Sequence, residues 1–261
     1  MTRFPALAGL RIGCVQYLNS KPLIEAYAGA VTFAHPSQLA RSLAAGSLDA
    51  ALVPIFEALG PRQYVAVDDV AIACQGPVYS VFLAYEGELR DVHQVELDPA
   101  SLTSVHLVQV LLQEFHGLSP RYAAASEITG CPEARLLIGN QAIEYRRTAP
   151  PGVRYLDLGE EWKEQTGLPF VFAVWLLRPD LPNLRAVADD FRALKEAGLP
   201  LIPAIAARAG AAVGEALALR YLTEHIRFDL GERERAGIAR FGELLHKHGF
   251  LSEAPMALRF V

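Results

Sequence analysis

Short apolar runs alternate along the chain with segments whose apolar residues recur at helical spacing. RIGCVQY (11–17) has the texture of a buried strand and gives way to KPLIEAYAG (21–29), which reads as a helix beginning at Lys21-Pro22. AVTFAHP (30–36) precedes SQLARSLAAG (37–46), in which Leu39, Leu43 and Ala44 follow the period of a helix, and DAALVPI (49–55) then runs into a loop. YVAVDDVAIACQG (64–76) and VYSVFLAYEG (78–87) continue as strands. HQVELD (93–98) opens a second unit, followed by the helix SVHLVQVLLQEF (104–115) and the strands RYAAAS (121–126), ARLLIGN (134–140), VRYLDL (153–158) and FVFAVWLLR (170–178). From Asn183 to Gly249 the pattern is helical, with Gly198, Gly231 and Gly249 as stops.

This order predicts an α/β protein built on mostly parallel sheets with helices on both faces. Two lobes are expected, joined by two crossings near residues 84–90 and 176–182. Residues 1–86 and 180–261 form the first lobe, completed by the C-terminal helices, and residues 87–179 form an inserted second lobe. Two lobes leave a cleft between them, and ligands in open α/β sheets sit beyond the carboxyl ends of the strands.

Composition narrows the partners. The 261 residues are 52% hydrophobic and 20% charged, a globular balance with enough chain for two cores. A formal charge of −5 leaves no surplus of lysine and arginine for nucleic acid. No secretory signal is visible in MTRFPALAG, and the apolar run 78–85 is too short to span a bilayer, so a cytoplasmic protein without a membrane partner is expected. Cys14, Cys74 and Cys131 are unclustered, which reads as three reduced thiols rather than a zinc or disulfide site.

Neutral polar residues gather at the predicted strand mouths. Asn19 and Ser20 follow the first strand, Ser80 lies after the Gly76-Pro77 break, Ser101, Thr103 and Ser104 follow HQVELD, and Gly139 and Asn140 follow ARLLI. Taken singly, Ser20 and Ser101 read as helix caps, Asn140 as a turn residue and Ser80 as a core hydroxyl. Their recurrence in both lobes points instead to a cleft that holds an anion with helix N-termini and hydroxyls. Among the histidines only His35, at a strand end, stands near such a mouth; the paired Glu160 and Glu161 fit a helix start. No nucleophile elbow, Walker loop, GxGxxG or HExxH occurs.

Six stretches, in order, resemble the chorismate dehydratase family of the futalosine route to menaquinone: YLNSKPL (17–23), GSLDAALVP (46–54), GPVYSVFL (76–83), ASLTSVHLVQVLL (100–112), LLIGNQAI (136–143) and LGEEWKEQTGLPFVFAVW (158–175). The resemblance covers most of residues 11–175 and is looser in the helical C-terminal quarter. The family usually has LLIGD where this chain has LLIGN, so Asn140 keeps the shape and loses the charge; a role in orienting a loop or a hydroxyl would survive that change.

The resemblance implies a fold like the type II periplasmic binding proteins, with a hinged interlobe cleft. It also implies a cofactor-independent lyase, without metal, that turns the dicarboxylate chorismate into 3-[(1-carboxyvinyl)oxy]benzoate and water. On this basis Asn19 and Ser80 are the expected catalytic contacts, and Tyr17, Ser20, Ser101, Thr103, Ser104, Gly139 and Asn140 the expected substrate contacts. The lack of an evident His/Glu pair suits a reaction in which the substrate's own enolpyruvyl carboxylate removes the C3 proton. Three other readings remain: a solute-binding protein of the same fold, the sister enzyme that makes 1,4-dihydroxy-6-naphthoate, and a degenerate family member in which Asn140 has shifted the substrate.

Overall fold

The computed structural model describes residues 3–98, 101–128, 133–255 and 257–261. Cys131 and Pro99 lie outside the described residues. The first lobe begins with β1 (Ile12–Cys14), a 3₁₀ turn over Leu18–Leu23, β2 (Val31–Phe33), α1 (Pro36–Ala44), β3 (Ala50–Pro54), the single helical turn α2 (Ile55–Ala58) and β4 (Val65–Cys74). The second contains β5 (Val81–Tyr85), β6 (Gln94–Leu97), α3 (Leu102–Glu114), β7 (Arg121–Ala124), β8 (Ala134–Ile138), α4 (Gly139–Thr148), β9 (Arg154–Asp157) and α5 (Leu158–Thr166). The chain then returns through β10 (Phe170–Leu177), α6 (Leu184–Gly198), α7 (Ile202–Val213), α8 (Glu215–Arg220), α9 (Glu232–Lys247) and β11 (Arg259–Phe260).

One sheet has six strands in the order β11-β4-β10-β3-β1-β2, and the other five in the order β7-β6-β8-β5-β9. Both are mixed. β10 runs antiparallel to β3 and β4, and β5 antiparallel to β8 and β9, while the β1–β2, β1–β3, β6–β7, β6–β8 and β11–β4 pairs are parallel. The antiparallel members are the two strands that follow the crossings. Each enters its sheet directly from the other lobe, without the βαβ connection that makes neighbours parallel.

This moves the lobe boundaries expected from the sequence. Val81–Tyr85 belongs to the second sheet and Phe170–Leu177 to the first, so the outgoing crossing lies between Cys74 and Val81 and the return between Thr166 and Phe170. The apolar runs are equally strand-like in either sheet, and hydrophobicity alone carries no label for the lobe. The C-terminal helices form much as expected, with two differences. α6 ends at Gly198 and is followed by a 3₁₀ turn over Leu199–Leu201 that leads into α7 without a loop; Gly231 precedes α9 rather than ending a helix.

The apolar core is continuous across the crossings. Trp162 of α5, fully buried, stacks edge-on against Phe170 of β10 and Phe241 of α9, and its indole N–H donates to the Pro169 carbonyl at 3.1 Å. Cys14 and Cys74 are buried, and desolvation pushes both thiols up to about 12, so they stay protonated and inert at neutral pH. No described helix is long and apolar enough to cross a membrane.

The outgoing crossing is held by one carboxylate. Asp157, 5% exposed, caps α5 by accepting the N–H groups of Gly159 and Glu160 at 3.1 and 3.2 Å. It also accepts those of Val78 and Tyr79 at 2.9 and 2.8 Å, and Arg146 of α4 approaches it at 3.1 Å. The Arg146 guanidinium lies over the rings of Tyr79, Phe82 and Tyr155, which fixes its plane. Tyr79 has φ +66°, a conformation a bulky residue keeps only when its surroundings impose it. Asp157→Ala strands four N–H groups and a half-buried guanidinium, and the expected loss is about 3–5 kcal/mol of unfolding free energy. Urea denaturation measures it, and a loss under about 1 kcal/mol contradicts the assignment.

Candidate functional site

The carboxyl ends of strands from both sheets converge on one cavity, with about 580 Å³ of empty space when its open mouth is counted. Its floor and walls are apolar, from Leu52, Val53, Ile72, Val81, Ile138 and Phe172 among others. Its polar groups are Tyr17, Asn19, Ser101, Thr103 and Ser104. None of the described lining side chains carries a charge at neutral pH. Whatever binds here is met by dipoles, N–H groups and hydroxyls.

The expected site residues separate into three groups. Tyr17, Asn19, Ser101, Thr103, Ser104 and Gly139 line the cavity. Ser20 and Ser80 are fully buried and do not. Asn140 is exposed and faces a shallow groove on the other side of the contact between Tyr17 and Gly139, alongside Leu18, Lys21 and Arg208. His35 is also exposed and does not line the cavity.

Asn19 and Ser20 do not precede a helix as the pattern suggested. Both lie inside the 3₁₀ turn Leu18–Leu23, which has Pro22 within it. The Ser20 hydroxyl donates to the carbonyls of Val15 and Tyr17, at 2.7 and 2.8 Å, and its N–H donates to Tyr17 at 3.1 Å. These bonds fold the chain tightly enough to turn Asn19 into the cavity. The turn is backed by α6, where Gly198 is so close to Pro22 that a Cβ would stand 1.8 Å from its carbonyl oxygen. Asn19 Oδ1 is buried with no hydrogen-bond partner among the described residues. A buried unpaired acceptor costs about 1–3 kcal/mol, which a ligand donor would offset.

Ser80 sits on the outgoing crossing. Its hydroxyl pairs with that of Tyr221 at 2.7 Å, and its carbonyl accepts the Gly139 N–H at 2.8 Å. The expected direct contact with a ligand is therefore replaced by two supporting bonds. Tyr221, 1% exposed, begins a wide helical turn (Tyr221–His225) closed by a 3.2 Å bond from Ile226 N–H to its carbonyl. Burial pushes its phenol above the ordinary value, and bonds from Ser80 and Asn19 oppose that rise. At the end of the same turn His225 Nδ1 lies 2.9 Å from the Pro77 carbonyl, and its ring packs against Tyr79.

Sequence reading missed Tyr221, His225, Arg146 and Asp157. Asp157 carried a signal, an Asp directly ahead of an acidic helix start. Tyr221 carried none: in ALALRYLTEHI it is an ordinary core aromatic, and only the tertiary fold brings it to Ser80, 141 residues away.

The two lobes touch on both sides of the cavity. On one side the Thr103 hydroxyl accepts the Phe56 N–H at 3.2 Å and donates to the Phe172 carbonyl at 3.4 Å, so it bridges α3 to the first lobe. His106, one helical turn on, stacks on Phe56 with ring centroids 3.8 Å apart and meets Phe250 edge-on. On the other side Asn140 Oδ1 accepts the Leu18 N–H at 3.1 Å. There the Tyr17 ring lies on Gly139, whose φ of +60° and lack of a Cβ allow an approach at which a Cβ would be 2.8 Å from the ring. The lobes are thus in contact on both sides of the cavity, which keeps a mouth to solvent. Ser101, the residue before α3, makes no side-chain cap to that helix. The first turn of α3 therefore presents backbone N–H groups that the helix itself leaves unpaired. Asp98, just ahead of it, raises the Tyr17 pKa, as burial does more strongly.

Two lobes with mixed sheets, a double crossing and an interlobe cavity define a binding-protein-like fold whose ligand is a small molecule. Solved structures agree. Protein AF1704 from Archaeoglobus fulgidus superposes with a TM-score of 0.74 at 15% identity, covering 92% of this chain and 98% of that one. The alkanesulfonate-binding protein SsuA from Xanthomonas axonopodis pv. citri, bound to MOPS, superposes at 0.68 with 12% identity, covering 97% and 98%. In sequence the chain is 31% identical over 258 residues to the chorismate dehydratase of Thermus thermophilus, covering 90% of this chain and 94% of that protein. Residues 10–247 match the menaquinone biosynthesis family, and the chain belongs to it.

Two outcomes test the closure contacts. Asn140→Ala removes the acceptor for Leu18 and should increase the radius of gyration seen by small-angle scattering, whereas Asn140→Asp keeps an acceptor and should not. Burial lowers the His106 pKa from its ordinary 6.5, against an opposing bond to the Leu102 carbonyl. Unfolded chains then bind the extra proton first, so stability is full above pH 6.5 and declines as pH falls below it. His106→Phe should remove that part of the decline in urea titrations compared at neutral and mildly acidic pH.

Proposed function

We propose that the protein is a chorismate dehydratase acting in menaquinone biosynthesis, a lyase that releases water and 3-[(1-carboxyvinyl)oxy]benzoate. The observation that carries the reading is the relationship to a chorismate dehydratase along nearly the full length of both chains. The cavity fits it. Chorismate is a dianion with an apolar ring face, one ring hydroxyl and an enolpyruvyl ether. The apolar walls suit the ring; the first turn of α3, with Ser101 and Ser104, suits a carboxylate.

The reaction breaks the C3–H and C4–O bonds and leaves an aromatic ring with the ether intact. Proton and hydroxide leave together as water, with no net oxidation, so no cofactor is required. Asn19 meets the departing C4 hydroxyl through its carboxamide; its unpartnered Oδ1 is the acceptor a hydroxyl would satisfy. None of the described lining residues is a carboxylate or a histidine. The substrate's enolpyruvyl carboxylate, held beside C3 by the walls of the cleft, is the base. Holding the reactive conformer in this way supplies the rate, since intramolecular alignment is worth up to about 7–11 kcal/mol in favourable cases.

The test is incubation of purified protein with chorismate, followed by chromatography and mass spectrometry. A product lighter by one water with an aromatic ultraviolet spectrum is expected. Bound but unchanged chorismate would make the protein a solute-binding one. Asn19→Ala should lower turnover by a hundredfold or so, about 2–3 kcal/mol of transition-state stabilisation, while Asp98→Asn should leave most of it; the reverse pattern places the base on the protein.

A further inference from the structure

The Thr103 hydroxyl joins two main-chain groups that regular structure leaves open. Phe56 is the second residue of α2, so its N–H lies in the first helical turn, where the helix itself supplies no acceptor. Phe172 is the extra residue where the register of β10 against β4 shifts between Val171 and Ala173. The pairing of β10 with β3 begins only at Ala173, so neither neighbouring strand offers Phe172 a partner residue. Thr103, 3% exposed, accepts from the first group at 3.2 Å and donates to the second at 3.4 Å. A hydroxyl has a single proton, and this one is used on Phe172. None is left for an anion, although Thr103 lines the cavity together with Ser101 and Ser104.

We propose that Thr103 is a positioning residue: its hydroxyl, committed to the first lobe and not to the ligand, docks the first turn of α3 and so fixes Ser101, Ser104 and the free N–H groups of that turn relative to Asn19. The two halves of the site sit on different lobes, Asn19 on the first and the α3 turn on the second. Their spacing is set where the lobes meet, and Thr103 makes that contact one residue from Ser104 and two from Ser101. One turn further along α3, His106 stacks on the Phe56 ring at 3.8 Å with the planes 6° apart. The same helix thereby holds Phe56 by its main chain and by its ring. Both partners of the Thr103 hydroxyl are main-chain groups, which cannot swing to follow it as side chains can, so a small displacement of α3 breaks the contact. The proposal rests on the dehydratase reading for its kinetic arm only.

Thr103→Val keeps the shape of the side chain and removes the hydroxyl. The expected result is a kcat lower by about tenfold, the scale of one hydrogen bond, with KM changed by less than about threefold, because the groups that hold the ligand remain. Thr103→Ser keeps the hydroxyl and should recover most of the loss. A raised KM with unchanged kcat is the signature of a direct ligand contact and overturns the proposal, as does a Thr103→Ser enzyme as slow as Thr103→Val. A substrate-free readout separates this idea from the assigned reaction. Hydrogen exchange at the Phe56 amide, followed by NMR, should be about tenfold faster in Thr103→Val and near the wild-type rate in Thr103→Ser. An unchanged rate in Thr103→Val overturns the proposal whatever the kinetics. Should Thr103→Val fail to fold, Thr103→Ala leaves room for water to reach both main-chain groups and should show the same loss of kcat and of protection. A wild-type protein that leaves chorismate intact while the Phe56 amide responds as expected overturns the reaction and keeps the positioning role.

Discussion

The grip of Asp157 on the crossing is the interaction on which the remaining geometry depends. One buried carboxylate starts α5 and holds the backbone of Val78 and Tyr79, so the second lobe clamps the strand-to-strand connection that joins it to the first. With that backbone fixed, Ser80 has one available direction for its hydroxyl, toward Tyr221, and one for its carbonyl, toward Gly139. Gly139 in turn sets where α4 begins and how closely Tyr17 can approach. A carboxylate with this many donors is costly to bury alone and stabilising only as a complete set, which explains why Arg146 and three aromatic rings are committed to it.

The site answers a charged ligand with neutral groups. A lysine or arginine in the cavity would bind a dianion tightly but would also compete for whichever carboxylate reached it first. Helix N–H groups and hydroxyls are directional, and their strength rises as the cleft closes and water leaves. An alkanesulfonate-binding protein shares this architecture, so the fold by itself does not decide what becomes of a ligand. Function is decided by the few side chains that line the cavity at the strand ends.

Much of this was legible in the chain. The alternation of strands and helices, the two lobes and the polar strand mouths followed from period and turn chemistry, and six of the nine named site residues line the cavity. The lobe boundaries were not legible, because FVFAVWLLR reads as a buried strand without saying which sheet buries it. α4 was hidden behind a polar sequence, GNQAIEYRRT, and α2 is a single turn. Ser20 and Ser80 were expected to face the cavity and instead point into the protein. Burial of a serine hydroxyl looks the same in sequence whether it lines a cavity or braces the chain behind it. Tyr221 shows the limit most clearly, since its role exists only through contacts made across 141 residues.

The central place of β10 has a consequence for how the protein is made. β10 lies between β3 and β4, so while a ribosome is still upstream of Phe170 the first sheet exists only as two unjoined pieces. The second sheet, by contrast, is contiguous in sequence and complete once β9 has emerged. Synthesis therefore favours an order in which the inserted lobe matures first and the N-terminal strands wait, exposed, for a strand translated much later. The edges of β3 and β4 are the surfaces most in need of chaperone cover during that interval, and their insertion partner is a single strand that seals both at once.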